Sequence, residues 1–122
     1  MELMCLDFES VLVPEVWLAI AKHFGIKELE VTTKDFSDYN ELMEHRIKVL
    51  NEHKIKAADL FEIANQLSPL PGAEEFLQWL RERGQVIILS DTYYEFITPL
   101  QKKLNYPAIF AHRFIVDENG FI

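Results

Sequence analysis

The spacing of apolar positions changes several times along the chain, and each change marks an element. Leu3 to Leu6 is a short unbroken apolar run ending on Asp7, the pattern of a strand buried on both faces of a parallel sheet. After a brief loop, Pro14 suits a first helical turn, Val16, Trp17, Ile20, Ala21 and Phe24 recur at helical spacing, and Gly25 supplies the stop. Ser37 or Asp38 caps a second helix, with Tyr39, Leu42, Met43, Ile47 and Leu50 at steps of three and four and Arg46 on or beside that stripe. A third helix covers Ala57 to Leu67, with Leu60, Phe61, Ala64 and Leu67 on one side. Ser68-Pro69-Leu70-Pro71-Gly72 cannot extend it, because proline lacks the amide hydrogen a helix needs, and the segment reads as a boundary.

Ala73 to Arg83 predicts a fourth helix with Phe76, Leu77, Trp79 and Leu80 as its apolar, core-forming positions, ended by Gly84. Gln85 to Leu89 is the strongest strand signal, and it runs into the polar turn Ser90-Asp91-Thr92. A helix from about Tyr94 to Leu104, a turn at Asn105-Tyr106-Pro107, a short strand around Ile109 and another at Phe114 to Val116 complete the order. The last strand enters Asp117-Glu118-Asn119-Gly120, where Asn-Gly signals a hairpin. Only Phe121 and Ile122 remain for the returning strand, against a usual strand of ~5 to 6 residues, so the sequence is expected to be the N-terminal part of a longer fold.

Strands separated by helices imply an α/β fold, since parallel strands need helical crossovers. The expected architecture is a three-layer, Rossmann-like parallel sheet formed by residues 1–13 and 71–122, incomplete at its C-terminus, with an all-helical cap inserted over residues 14–70. Ligands in such sheets bind beyond the carboxyl ends of the strands, where both Asp7 and Ser90 stand.

Composition narrows the choice of function. With 49% hydrophobic residues in 122, the chain can build a core. Its formal charge of -8, from 20 acidic against 12 basic residues, repels nucleic acid and anionic lipid. One cysteine, Cys5, allows no internal disulfide and fits a reducing cytosol. No apolar run approaches the ~20 residues that span a bilayer. The opening residues carry no basic leader, so the mature protein is expected to begin where the sequence does. His23, His45, His53 and His112 lack zinc-ligand spacing.

Asp7 and Glu9 are the first candidates for chemistry. If strand geometry continues to Glu9, a period of two points both carboxylates to one side, where one can attack as a nucleophile while the other handles a proton. On spacing alone, acids after a buried strand more often simply solvate a loop. Ser90, between strand and helix, offers a hydroxyl and backbone amides to a phosphate at a helix start, although Ser90, Asp91 and Thr92 would also serve as plain helix caps. Arg46 has the planar fork that suits a carboxylate, or it snorkels or pairs with Glu44 or Asp38. Glu15 at a helix start suits the helix dipole. Cys5, Trp17 and Phe24 read as core.

Asp7-Phe8-Glu9-Ser10-Val11 resembles the first motif of the haloacid dehalogenase superfamily, and Ile88-Leu89-Ser90-Asp91-Thr92 resembles its second. Cys5 to Glu9, Val11 to Glu15, Leu77 to Arg83 and Ser90 to Phe96 are similar to its phosphoserine phosphatase family, in the branch that also transfers phosphate to homoserine. The resemblance implies that Asp7 is a nucleophile that becomes phosphorylated and a Mg2+ ligand. It implies that Glu9 is the general acid/base, with its backbone carbonyl on the same metal, in place of the usual aspartate. Glu15 and Arg46 would recognise the amino and carboxylate ends of phosphoserine, and Ser90 with Asp91 would bind its phosphate.

The family also implies a later lysine and an acidic pair. Neither can be placed, since Lys102 and Lys103 come too early and Asp117-Glu118 sits in the expected hairpin turn. The chain alone is therefore expected to turn over little phosphoserine. Its first strand, left open on one side, predicts a homodimer, a partner fragment or poor solubility. The competing reading is a non-catalytic module that binds a phospho-ligand or dimerises. A receiver-type domain fits less well, because its strand–helix connections are short and this chain inserts helices after the first strand.

Overall fold

The computed structural model describes all residues, 1–122. In chain order the elements are β1 (Leu3–Leu6), α1 (Val16–Phe24), a 3-10 turn (Lys27–Leu29), α2 (Tyr39–Glu52), α3 (Ala57–Gln66), α4 (Ala73–Arg81), β2 (Gln85–Tyr93), α5 (Tyr94–Lys103) and β3 (Ala108–His112). The parallel α/β architecture expected from the sequence is the one observed: three strands in the order β1-β2-β3, parallel throughout.

The residues group into two compact units, one of 1–15 with 64–114 and one of 16–63 with 115–122. In the first, Ile88 and Ile109 of the sheet bury against Ala73 and Leu77 of α4, Ile97 and Leu100 of α5, and Phe8, Leu12 and Val13 of the loop after β1. Gly84, between α4 and β2, is dictated by crowding: a Cβ there would stand 2.7 Å from the Glu2 carbonyl oxygen. The adjoining Gln85 amide donates to that same oxygen at 2.9 Å and so starts the β1–β2 pairing. Arg81 donates to the carbonyls of Leu104 and Asn105, holding the turn in which Asn105 and Tyr106 both adopt left-handed backbone.

The second unit is helical. Its α1 ends as expected on Gly25 at φ 67, and the Ile26 amide reaches back to the Ala21 carbonyl at 3.0 Å, closing the helix end. Asp38, rather than Ser37, caps α2 through the Asn40 amide at 2.9 Å. The buried stripe of α2 is Leu42, Met43, Arg46, Val49 and Leu50, so Arg46 and Val49 take the line on which Ile47 was expected. Residues 115–122 hold a turn in which the Asp117 side chain accepts the amides of Asn119 and Phe121, and the Gly120 carbonyl accepts the Ala57 amide at 2.9 Å.

Three expectations need correction. Residues 114–116 form no strand: Phe114 stacks on Tyr93 with ring centroids 3.8 Å apart, and the Asn-Gly turn is real but side-chain-capped rather than a hairpin. Phe76 and Trp79 are not core, because the line facing the sheet on α4 is Ala73, Leu77 and Leu80, and Trp79 instead lies under the Arg83 guanidinium at 3.8 Å. Finally, β1 is not buried on both faces. Met4 and Leu6 face the core side, whereas Leu3 is 59% exposed and Cys5 is exposed.

Candidate active site at the carboxyl edge of the sheet

Parallel pairing in register decides where the candidate residues fall. Leu3 pairs with Gln85 and Leu6 with Ile88, so Asp7, one residue beyond the end of β1, stands at the level at which β2 reaches Leu89 and Ser90. Adjacent strands lie ~4.8 Å apart, which brings the Asp7 carboxylate and the Ser90 segment to one edge of the sheet.

The loop after β1 holds Asp7 outward by burying its neighbour. Phe8 is wholly buried in the core, and its carbonyl accepts the amides of Val11, Leu12 and Val13. Asp7 itself is exposed and accepts the Phe8 amide at 2.7 Å through Oδ1. The strand geometry assumed for Glu9 does not persist, since β1 ends at Leu6. The alternation does persist, because Phe8 points in while Asp7 is exposed and Glu9 half-buried. Glu9 instead makes a bridge to Val13 across a tight loop, with the Ser10 amide donating to the Val13 carbonyl at 2.7 Å. Ser10 adopts φ 66, and its hydroxyl donates to Glu15 Oε1 at 2.8 Å. Glu15 is thus tied to the loop that carries Asp7 and Glu9.

Ser90 does not open a helix. Strand β2 continues through Ser90, Asp91 and Thr92 to Tyr93, with its register to β3 shifting between Leu89 and Tyr93, and α5 begins at Tyr94. Ser90 Oγ accepts the Thr92 amide at 3.2 Å, which leaves the hydroxyl proton to be donated elsewhere. Thr92 is buried and its hydroxyl has no hydrogen-bond partner. A layer of rings lies beyond, with Tyr93 beside Phe96, His112 and Phe114. In the sequence Ser10 stands only inside a motif and Thr92 only as a possible cap, and neither pattern marks a part in the site. The signal available for Ser10 was its place between two acids and Glu15.

Arg46 belongs to the helical unit. It is buried, its Nη2 donates to the Val31 carbonyl at 3.0 Å, and its guanidinium lies over the Trp17 ring at 4.7 Å. That arrangement replaces both the snorkelling side chain and the surface pairing with Glu44 or Asp38. Lys103, on α5, donates to the carbonyls of Asn65 and Leu67. No group of three or more His, Cys, Asp or Glu side chains is gathered in a position to hold a metal.

The model of haloacid dehalogenase-like hydrolases matches residues 2–122. The chain belongs to this family. A phosphoserine phosphatase of Pseudomonas syringae pv. tomato is 52% identical over 117 residues, a match covering 96% of this chain and 49% of the relative. The phosphoserine phosphatase ThrH of Pseudomonas aeruginosa is 50% identical over 119 residues, covering 98% of this chain and 58% of the relative. This haloacid dehalogenase-like hydrolase therefore spans about half the length of the curated relatives it matches. Among solved structures, an apo phosphoserine phosphatase superposes with a TM-score of 0.76 at 25% identity, covering 98% of this chain and 58% of that one.

Proposed function

We propose that this chain carries the nucleophile-bearing part of a phosphoserine phosphatase or homoserine phosphotransferase that works through an aspartyl-phosphate. The observation that carries the reading is the parallel, in-register pairing of β1 and β2, which sets Asp7 and Ser90 at one edge of the sheet. A carboxylate there can attack phosphorus while Ser90 donates its hydroxyl to a phosphate oxygen.

In the first step an Asp7 oxygen bonds to phosphorus, the bond from phosphorus to the serine oxygen breaks, and Glu9 gives its proton to that departing oxygen. In the second, Glu9 takes a proton from water or homoserine, whose oxygen displaces Asp7 from phosphorus and restores the free carboxylate. Glu15 and Arg46 are assigned to the ammonium and carboxylate of the substrate on residue chemistry, and the fork of Arg46 is already oriented by Val31 and Trp17. Asp91 is assigned, with Ser90, to the phosphate side. Hard oxygen donors fit Mg2+, and the Asp7 carboxylate with the Glu9 backbone carbonyl would hold it. When bound, it would neutralise phosphoryl charge. The free thiol of Cys5 supports a cytosolic setting.

The test is a chimera in which these 122 residues replace the matching segment of the Pseudomonas aeruginosa relative. It is expected to release phosphate from phosphoserine, and Asp7→Asn is expected to lower kcat on the order of 10³-fold or more. A folded chimera in which Asp7→Asn leaves kcat unchanged would overturn the assignment.

A further inference from the structure

Ser10 carries a side chain where the backbone alone calls for none. Its φ of 66 lies in the left-handed region, which glycine adopts freely and a residue with a Cβ does not. Main-chain contacts set that conformation, with the Ser10 amide donating to the Val13 carbonyl at 2.7 Å and Glu9 bridging to Val13. Neither contact needs the hydroxyl. Backbone outliers of this kind gather at functional sites, and the hydroxyl here has one defined task, donation to Glu15 Oε1 at 2.8 Å.

Glu15 is exposed immediately before α1, where a long side chain otherwise samples many rotamers. A hydroxyl is a neutral donor, so it orients this carboxylate without cancelling its charge, and Oε2 stays open to a second donor. The ion pairs of the chain, Lys48 with Glu52 and Arg83 with Glu82, lie elsewhere. The turn that carries Ser10 is itself anchored, because Phe8 is buried in the core and its carbonyl accepts the amides of Val11, Leu12 and Val13. The bond from Ser10 therefore ties Glu15 to the same anchored turn that presents Asp7.

We infer that Ser10 is a positioning residue for the ammonium end of the substrate. Its hydroxyl sets the Glu15 carboxylate at a fixed reach from Asp7, so that the site selects phosphate esters bearing an ammonium group over esters without one. This role rests on the assignment of Glu15 to the substrate ammonium made above, and it adds the residue that holds that carboxylate in place.

The chimera described above is assayed with phosphoserine and with O-phospho-3-hydroxypropionate, which is phosphoserine without its amino group. Ser10→Ala removes the hydroxyl and keeps the Cβ, whereas Ser10→Gly removes both and relaxes the backbone, so a loss common to the two comes from the hydroxyl. Both are expected to raise KM for phosphoserine about three- to tenfold, the worth of one hydrogen bond, with kcat within about twofold of the parent. For the amino-free ester, KM is expected to stay within about twofold. On a Glu15→Gln background, Ser10→Ala is expected to change kcat/KM for phosphoserine by less than about twofold, because the charge it orients is gone. Calorimetric titration of the Asp7→Asn chimera with the same two compounds is expected to show the same contrast in Kd.

Equal losses for the two esters would make Ser10 a structural residue of the turn and overturn the inference. A loss for phosphoserine that persists at full size on the Glu15→Gln background would overturn it too, because the hydroxyl would then act on the substrate directly. If Glu15→Gln weakens phosphoserine alone while both Ser10 variants match the parent, only the role of Ser10 falls. If Glu15→Gln weakens the two esters equally, the assignment of Glu15 falls and takes this role with it.

Discussion

Phe8 and Phe110 offer the same side chain on opposite sides of one sheet, and truncating each to alanine measures how one-sided the sheet is. Phe8 is 0% exposed and packs among Leu12, Val13, Leu77, Ile88, Ile97 and Leu100. Phe8→Ala removes a fully buried ring and leaves a cavity that these aliphatic neighbours cannot wholly close, which costs about 3 to 5 kcal/mol. Phe110 is 60% exposed. Its covered part amounts to roughly 80 Å², worth about 2 kcal/mol at most at 25 cal/mol per Å², and no cavity forms because solvent already reaches the ring. Phe110→Ala is therefore expected to cost about 1 to 2 kcal/mol, including the weaker strand preference of alanine. Urea titration followed by far-ultraviolet circular dichroism gives both values, and Phe8→Ala should show much the lower midpoint at a similar slope. Equal losses at the two positions would mean that the face carrying Phe110 is packed in solution, and the one-sided burial of the sheet would be refuted.

Three further outcomes are expected. Gly84→Ala should lower stability by about 1 to 3 kcal/mol in the same titration, because its Cβ would stand 2.7 Å from the Glu2 carbonyl oxygen and one of the two backbones must shift. Arg46→Lys should shift the fluorescence of Trp17 and lower the melting temperature, since an ammonium cannot both stack on that ring and reproduce the planar donor to Val31; an unchanged spectrum and melt would show that the stack contributes nothing. With Mg2+ and phosphoserine, the 122-residue chain alone should release phosphate at least 10² to 10³ times more slowly than the chimera, the cost of losing one or more electrostatic groups around the phosphoryl; equal rates would contradict this.

The sequence was most informative where period and punctuation coincide. The run from Leu3 to Leu6 and the β-branched run from Gln85 placed two strand ends, and because the strands pair in parallel, those ends brought Asp7 and Ser90 to a single edge. The errors have physical causes. An unbroken apolar run says that both faces can be buried, not that both are, and the exposure of Leu3 and Cys5 depends on residues far away in the chain. Phe76 and Trp79 were drawn into the core by hydrophobicity, although the line through Ala73, Leu77 and Leu80 leaves them off-axis. Arg46 could not be placed from its charge, since its burial depends on the Val31 carbonyl and the Trp17 ring, contacts that no helical period encodes. Phe114 to Val116 had strand composition, but stacking on Tyr93 took the first of them elsewhere.

Ser10 limits what can change next to the proposed nucleophile. A side chain with a Cβ in the left-handed region costs roughly 1 to 2 kcal/mol, and here the short amide contact to Val13 and the hydroxyl contact to Glu15 offset that cost locally. Glycine would relax the backbone and release Glu15, while valine or isoleucine would strain the turn and supply no latch. A replacement that keeps both the turn and the latch must therefore be small, accept the left-handed conformation and carry a hydroxyl proton, so a single torsion angle limits what the connection between residues 7 and 15 can hold.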